Sequence, residues 1–306
     1  MRTRRQFLAA GGQVAAALAL GGGFVAGPAA ARAAPIAATA LGSGFTLLTG
    51  AGCNVVALSG PDGALLVDGG YAANSQALLR ASSQATGKRR IATLINTHWH
   101  PAQTGSNDAV GREGGAIIAH EVTRLYLARP IASVDYDGLY GPLPPRARPT
   151  RTTRHEDAID FARHHVAYGY LPAAHTNGDL YVHIPDADLL VTGGPVCSES
   201  WPVLDWRNGA WLGGLVRAHE KLASLARTGT RIVPANGRLL SADELKRQRD
   251  LFAAFHDRMV GFQNKGMDTG DILAERPLKD YEAQYGDPAS FIVGAFRSLN
   301  LAYSPD

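Results

Sequence analysis

Short apolar runs separated by glycine-rich and polar turns set the rhythm of the chain after its first forty residues. Residues 45–48, 54–58, 64–67, 91–95, 116–119, 180–184, 188–191 and 231–233 read as strands. The run Ile91-Ala92-Thr93-Leu94-Ile95 does not alternate; short, β-branched and apolar, it predicts a strand buried within the protein. Helices are predicted over residues 75–84, 107–113, 122–128, 209–226 and 241–260. In the last of these Ser241, with Glu244 three residues on, forms a capping-box pattern. The segment 136–149, rich in Gly, Pro and Tyr, reads as a long connection between two halves, either a lid or plain surface.

Candidate chemistry begins where the buried strand ends. Asn96-Thr97-His98-Trp99-His100-Pro101-Ala102-Gln103 places two histidines one residue apart on extended chain, so both imidazoles can reach one ion. For an isolated pair of this kind the plainer reading is one packed and one solvated histidine. Other segments strengthen the metal reading. Leu65-Leu66-Val67-Asp68-Gly69-Gly70 precedes the pair, and Ala174-His175-Thr176-Asn177-Gly178-Asp179 follows it. After them come Leu189-Leu190-Val191-Thr192-Gly193-Gly194 and Val233-Pro234-Ala235-Asn236-Gly237.

These five segments, in this order, resemble the metallo-β-lactamase superfamily of hydrolases, and the likeness runs from about Gly44 to Leu301. The resemblance implies an α/β fold, a four-layer αββα sandwich of the metallo-β-lactamase type. It also implies a first metal site made of His98, His100 and His175, with Asp68, Thr176 and Asp179 supporting the loops that carry them. The second metal site of the family would fall on Ala102, Gln103, Gly194 and Asn236, where the family has aspartate, histidine, aspartate and histidine. None of those four can serve as a usual zinc donor, so one zinc ion is expected and the second site is lost. Aspartate restored at 102 and 194, with histidine at 103 and 236, is expected to bring the second ion back. Ala102, Gln103, Gly194 and Asn236 are instead expected to line a substrate pocket. Gln103 or Asn236 could hold a substrate oxygen, but neither can act as a base at neutral pH, so no side chain is assigned as the catalytic base.

The amino terminus adds a compartment. Thr3-Arg4-Arg5-Gln6-Phe7-Leu8, an uncharged Gly/Ala-rich stretch and small residues around Ala31-Arg32-Ala33 predict a twin-arginine signal peptide over residues 1–33. Residues 34–306 then form one metallo-β-lactamase-like domain with a C-terminal helical tail. The expected location is periplasmic or extracellular, the partner for export is the twin-arginine machinery, and no stable membrane span is expected after cleavage. Removing the leader also removes Arg2, Arg4, Arg5 and Arg32, leaving 26 basic against 27 acidic side chains. The basic balance of the whole chain therefore belongs to the leader, and nucleic acid is not expected as a partner.

The remaining polar and aromatic residues change the picture less. For Cys53 and Cys197 two readings stand open, a disulfide in an oxidising compartment and buried thiols, with a ligand role for Cys197 the weaker reading. His155, His164, His165 and His183 are expected at the surface, and His120 is expected to be structural. Trp201, Trp206 and Trp211, with Pro202, are expected to be core or an apolar substrate wall. Three functions follow. The first is an exported mononuclear zinc hydrolase of an ester, amide, lactone or similar small molecule. The alternative is an impaired relative that binds a small ligand. The third, a β-lactamase proper, ranks last because the second-site donors are missing.

Overall fold

The computed structural model describes residues 35–303; the leader expected over residues 1–33 lies outside them. The first sheet runs in chain order through β1 (Ala37–Gly42), β2 (Phe45–Thr49), β3 (Val55–Ser59), β4 (Ala64–Val67), β5 (Ile91–Ile95), β6 (Ala116–His120) and β7 (Arg151–Thr153). It is antiparallel up to β4 and parallel from β4 to β7. The crossovers carry α1 (Ser75–Thr86), α2 (Pro101–Thr104), α3 (Asn107–Arg112) and α4 (Glu121–Tyr126). The second sheet comprises β8 (Glu156–Phe161), β9 (His164–Leu171), β10 (Asp179–Ile184), β11 (Leu189–Cys197), β12 (Arg231–Asn236) and β13 (Leu240–Ser241), again adjacent in chain order. Between β11 and β12 lies α5 (Leu212–Leu225), and after β13 come α6 (Ala242–Asn264), α7 (Thr269–Ala274), α8 (Glu282–Tyr285) and α9 (Ala289–Tyr303).

Alternation along each strand divides the core into layers. Val56, Leu58, Leu65 and Val67 of the first sheet meet Val166, Tyr168, Val182 and Val191 of the second. Their neighbours Val55, Ala57, Ala64 and Leu66 face outward, against Leu78 of α1 and Val110 of α3. On the far side, Leu190 and Ile232 pack against Ala218 and Leu222 of α5 and Leu245 of α6. Strands covered on both faces carry no polar face, which is why these runs look continuously apolar. The result is the αββα sandwich expected from the sequence. Helices α5, α6, α7 and α9 build a further core around Phe252, Phe255 and Phe291. The capping box is formed, with Ser241 Oγ accepting from the Glu244 amide.

Three expectations are settled or corrected by packing. Cys53 and Cys197 are buried free thiols. His164 is buried rather than at the surface: its Nδ1 lies 2.5 Å from the Asp186 carboxylate and its Nε2 3.0 Å from the Ser43 carbonyl, so it ties the β1–β2 turn to the second sheet. The connection containing residues 136–149 is pinned at its start. Ile131 and Tyr140 exchange backbone hydrogen bonds of 2.9 and 2.8 Å, and Ile131, Tyr136, Tyr140 and Leu143 pack on buried Trp99. No described helix is long and apolar enough to cross a membrane.

Candidate metal centre

The first sheet delivers two of the three histidines. After β5 the chain turns on Asn96, whose buried amide donates to the Gln103 carbonyl at 2.9 Å and pairs with Asn107. Pro101 opens α2 immediately after His100, which holds extended backbone (φ −59°, ψ 153°). His98 and His100 thus converge, with ring centroids 4.8 Å apart. The second sheet delivers His175 from the loop between β9 and β10. All three are buried, and one nitrogen from each lies within 4.8 Å of the others.

Each histidine is braced on its far side. Val203 O, which can only accept, lies 2.6 Å from His175 Nδ1 and so takes its proton. His100 Nε2 faces Asp205 Oδ2 at 3.1 Å. Burial opposes ionisation of Asp205, but hydrogen bonds from His100, Asn208 and Ser133 outweigh it and hold the carboxyl below its usual range. It is therefore an acceptor, and His100 carries its proton on Nε2. His98 Nδ1 lies 3.1 Å from Thr97 Oγ1, which donates to Asp68 Oδ2 at 2.8 Å while the Thr97 amide donates to Asp68 Oδ1 at 2.7 Å. With Asp68 ionised, the Thr97 hydroxyl is committed to it and receives the His98 Nδ1 proton.

The His100 and His175 protons thus face acceptors on the outer edge, and the His98 proton joins them when Asp68 is ionised, leaving three lone pairs inward. His175 Nε2 and His100 Nδ1 stand 3.1 Å apart with neither able to donate to the other. Two donors on a tetrahedral ion at about 2.0–2.1 Å are roughly 3.3 Å apart, so this spacing fits a shared cation. Burial, followed by the neighbouring imidazoles, pushes His98 well below its ordinary range and lowers His175 as well. Metal binding requires that neutral form. The donor set present could hold one divalent ion.

The supports expected from the sequence take up structural positions. Asp179 accepts from the His175 and Thr176 amides at 2.6 and 2.9 Å and from Thr176 Oγ1 at 2.7 Å, closing the His175 loop. Burial raises its carboxyl to about 6, and that of Asp68 to about 7. Asp68 also sits in the left-handed region at φ 66°, a conformation aspartate tolerates better than bulkier residues.

The four positions expected at the pocket scatter. Ala102 packs on the outer core of the first sheet, and its carbonyl accepts from the Cys53 thiol. Gln103 is buried, and its Oε1 has no hydrogen-bond partner among the described residues. Gly194 lies directly under His175: a Cβ there would fall on the imidazole, 2.7 Å from Nε2. Asn236 lines a cavity of about 510 Å³ with Cys53, Asn54 and Glu199. A larger cavity of about 850 Å³ is bordered by Asp135, Val203, Trp201, Pro202 and Trp206; it reaches Ser133 and Val203, which touch His100 and His175, but none of the three histidines lines it. The two cavities share no lining residue. Trp211 lies outside both, so only two of the three tryptophans border the larger space.

A family model matches the stretch of chain that carries the three histidines. The metallo-beta-lactamase superfamily model covers residues 48–242, more than half of the chain. The chain belongs to the metallo-β-lactamase superfamily. No curated protein matches it significantly. Among solved structures, a metallo-beta-lactamase from Pontibacter korlensis aligns with TM-score 0.58 at 18% identity, over 71% of this chain and 99% of its own. The DIM-1 metallo-beta-lactamase aligns with TM-score 0.57 at 14% identity, over 73% and 99%. The same enzyme exposed to ceftazidime gives TM-score 0.56. At these identities the likeness is one of fold.

Sequence reasoning missed Asp205, Ser133, Val203 and Asn208. Only Asp205 left a signal: it is the single acid in Trp201-Pro202-Val203-Leu204-Asp205-Trp206, and a carboxylate in so apolar a stretch is rarely buried unless paired.

Proposed function

We propose that this superfamily member is an exported hydrolase that works with one zinc ion held by His98, His100 and His175. The observation that carries this reading is the 3.1 Å approach of two buried ring nitrogens, His100 Nδ1 and His175 Nε2, whose rings each turn the other nitrogen to an oxygen acceptor. Left without a cation, two facing lone pairs repel; with one, they are donors. When bound, zinc supplies Lewis acidity toward a carbonyl and toward water. The residues of the chain do the rest. Asp205, Val203 and the Asp68–Thr97 pair hold the three rings in the required tautomers. Trp201, Pro202 and Trp206 give the larger cavity an apolar wall, and Arg207 and Arg297 lie 5.3 and 5.2 Å from the Trp206 ring centroid. A small ester, amide or lactone fits a space of about 850 Å³.

The twin-arginine pattern supports export to the periplasm or beyond. A second reading, a ligand-binding relative without turnover, is favoured by two observations: α2 supplies no carboxylate, and the space over Gly194 is filled by His175. A β-lactamase proper is the weakest reading, since the likeness to the two β-lactamases is one of fold. The deciding measurement is the metal content of the purified mature protein after dialysis, with and without added zinc, in wild type and His175→Ala. About one zinc per wild-type chain, lost in the variant, is expected, and an esterase, amidase and lactonase screen follows. Stoichiometric zinc retained by His175→Ala would remove the assignment. Metal bound without turnover on any of these classes would favour the ligand-binding reading.

A further inference from the structure

The loop that leaves Ile131 brings a carboxylate to the open edge of the histidine cluster. Asp135 Oδ2 lies 3.8 Å from His100 Nδ1, the same nitrogen that faces His175 Nε2. Asp205 sits at the other edge of that ring, on Nε2. His100 is therefore flanked by one carboxylate behind and one in front, on the side where the lone pairs converge.

This placement is built. The Asp135 amide donates to Ser133 Oγ at 3.0 Å, and Ser133 Oγ donates to Asp205 Oδ2 at 2.9 Å. His100, Asp205, Ser133 and Asp135 thus close a ring of contacts. The loop is held further by the Ile131–Tyr140 backbone pair, by Tyr136 and Tyr140 on Trp99, and by a 2.8 Å hydrogen bond between Tyr140 and Thr104 of α2. Among the described residues no lysine or arginine forms an ion pair with Asp135. Its side chain keeps 39% of its exposure and borders the larger cavity.

Charge and geometry favour one use for such a group. Three neutral imidazoles leave a divalent ion's charge uncompensated in a buried site, and a carboxylate at the open edge halves it. Asp135 Oδ2 stands 3.8 Å from His100 Nδ1 but outside the group of three histidine nitrogens that lie within 4.8 Å of one another, so to reach the roughly 3.3 Å spacing of donors on one tetrahedral ion its side chain must turn inward from the cavity. We propose that Asp135 is the fourth donor of the metal centre, a loop-borne carboxylate that makes the set three imidazoles and one carboxylate. The inference rests on the three-histidine reading. Because Asp135 faces the cavity, it is also the donor that can yield its place to a substrate.

The test uses the full mature chain as wild type, Asp135→Asn, Asp135→Glu and, as a nearby acidic control, Asp137→Asn. Zinc affinity is measured by chelator competition, and the visible absorption of the cobalt(II)-substituted protein reports the donor set independently of activity. Asp135→Asn is expected to weaken zinc at least tenfold and to change the intensity and position of the cobalt bands. Asp135→Glu is expected to recover part of both, and Asp137→Asn to leave both at wild-type values. An Asp135→Asn protein with wild-type zinc affinity and an unchanged cobalt spectrum overturns the assignment of Asp135 alone. A wild-type protein that takes up neither metal overturns it together with the three-histidine site, so the two failures are told apart by the wild-type arm.

Discussion

The two sets of residues that the family resemblance assigns to a metal pocket are built in opposite ways in this chain. On the side of His98, His100 and His175, each ring is braced by a partner of its own, Thr97 with Asp68, Asp205, or Val203 O. On the other side, Ala102 faces an apolar core, Gln103 keeps an oxygen unpaired among the described residues, Gly194 lies beneath His175 and Asn236 lines a separate cavity. A metal site is thus more than its ligands: the histidine half has the hydrogen bonds that orient its rings, and on the other side the position of Gly194 has no room for a donor. Side chains that orient a ligand are as much part of the site as the ligand itself.

The largest effect separating the halves is expected at Gly194. Family logic alone suggests that aspartate there would help to recruit a second ion. The geometry reverses this expectation, because any Cβ at 194 collides with the His175 ring. Gly194→Asp should therefore empty the first site rather than fill the second, which metal analysis would show as loss of nearly all zinc. Two metals per chain in that variant would mean that β11 can open to admit a side chain. Next in size is Asp205→Asn, which deprives His100 or Ser133 of an acceptor. Zinc affinity should fall about 10- to 100-fold, and an affinity equal to wild type would show that His100 needs no bracing.

Asp68→Asn probes the same half more gently and in two directions. A carboxamide can donate to the Thr97 hydroxyl, which then turns toward His98 Nδ1 and places the imidazole proton on the inward nitrogen. Zinc affinity should fall by about tenfold, within the range for partners of metal-bound histidines. Metal-free stability should move the other way with pH. Burial raises the Asp68 carboxyl to about 7 from 3.8, so the folded state holds a proton that the unfolded state has released over that window. The stabilising contribution is full below 3.8 and is lost as pH rises through about 7. The thermal midpoint of metal-free wild type should accordingly fall relative to Asp68→Asn between pH 5 and 8; parallel midpoints across that range would argue against a buried carboxyl titrating there.

How much of this could be seen in the sequence follows from what each residue depends on. β4 and β5 were legible because both faces are buried, and short apolar runs bounded by turns have few other homes. The Ser241–Glu244 cap was legible because it is a local device. The three histidines were visible through their ordered motifs, while Asp205 and Asp135 were not. Both sit on loops, where no periodicity announces which way a side chain will face, and their partners are 105 and 35 positions away in the chain in the case of Asp205–His100 and Asp135–His100. β8 and β9 were missed because their polar positions, such as Glu156, Asp160 and His165, hide the pattern of inward residues. His164 was misjudged for a similar reason: adjacent histidines look solvated, but strand alternation sends one inward.

The smallest effect is expected on the dismantled side, at Asn236. If this residue were a remnant ligand or a hidden support of the centre, Asn236→Ala would lower zinc content or affinity. Its neighbours suggest a different division of labour. The loop after β12 is held by Asn54, whose Nδ2 donates to the Pro234 and Gly237 carbonyls at 2.9 Å each, while its amide donates to Ala235 O at 2.8 Å. That one buried side chain ties the entry of β3 to the end of β12, so the loop keeps its course without Asn236. Asn236→Ala should bind zinc within about twofold of wild type, well under the ~1.4 kcal/mol that a tenfold change represents. Asn54→Ala should instead lower the thermal midpoint, because a buried carbonyl, Pro234 O, and a part-buried one, Gly237 O, lose their donor. A tenfold loss of zinc in Asn236→Ala would show that the two cavities are coupled and that the abandoned half still serves the intact one.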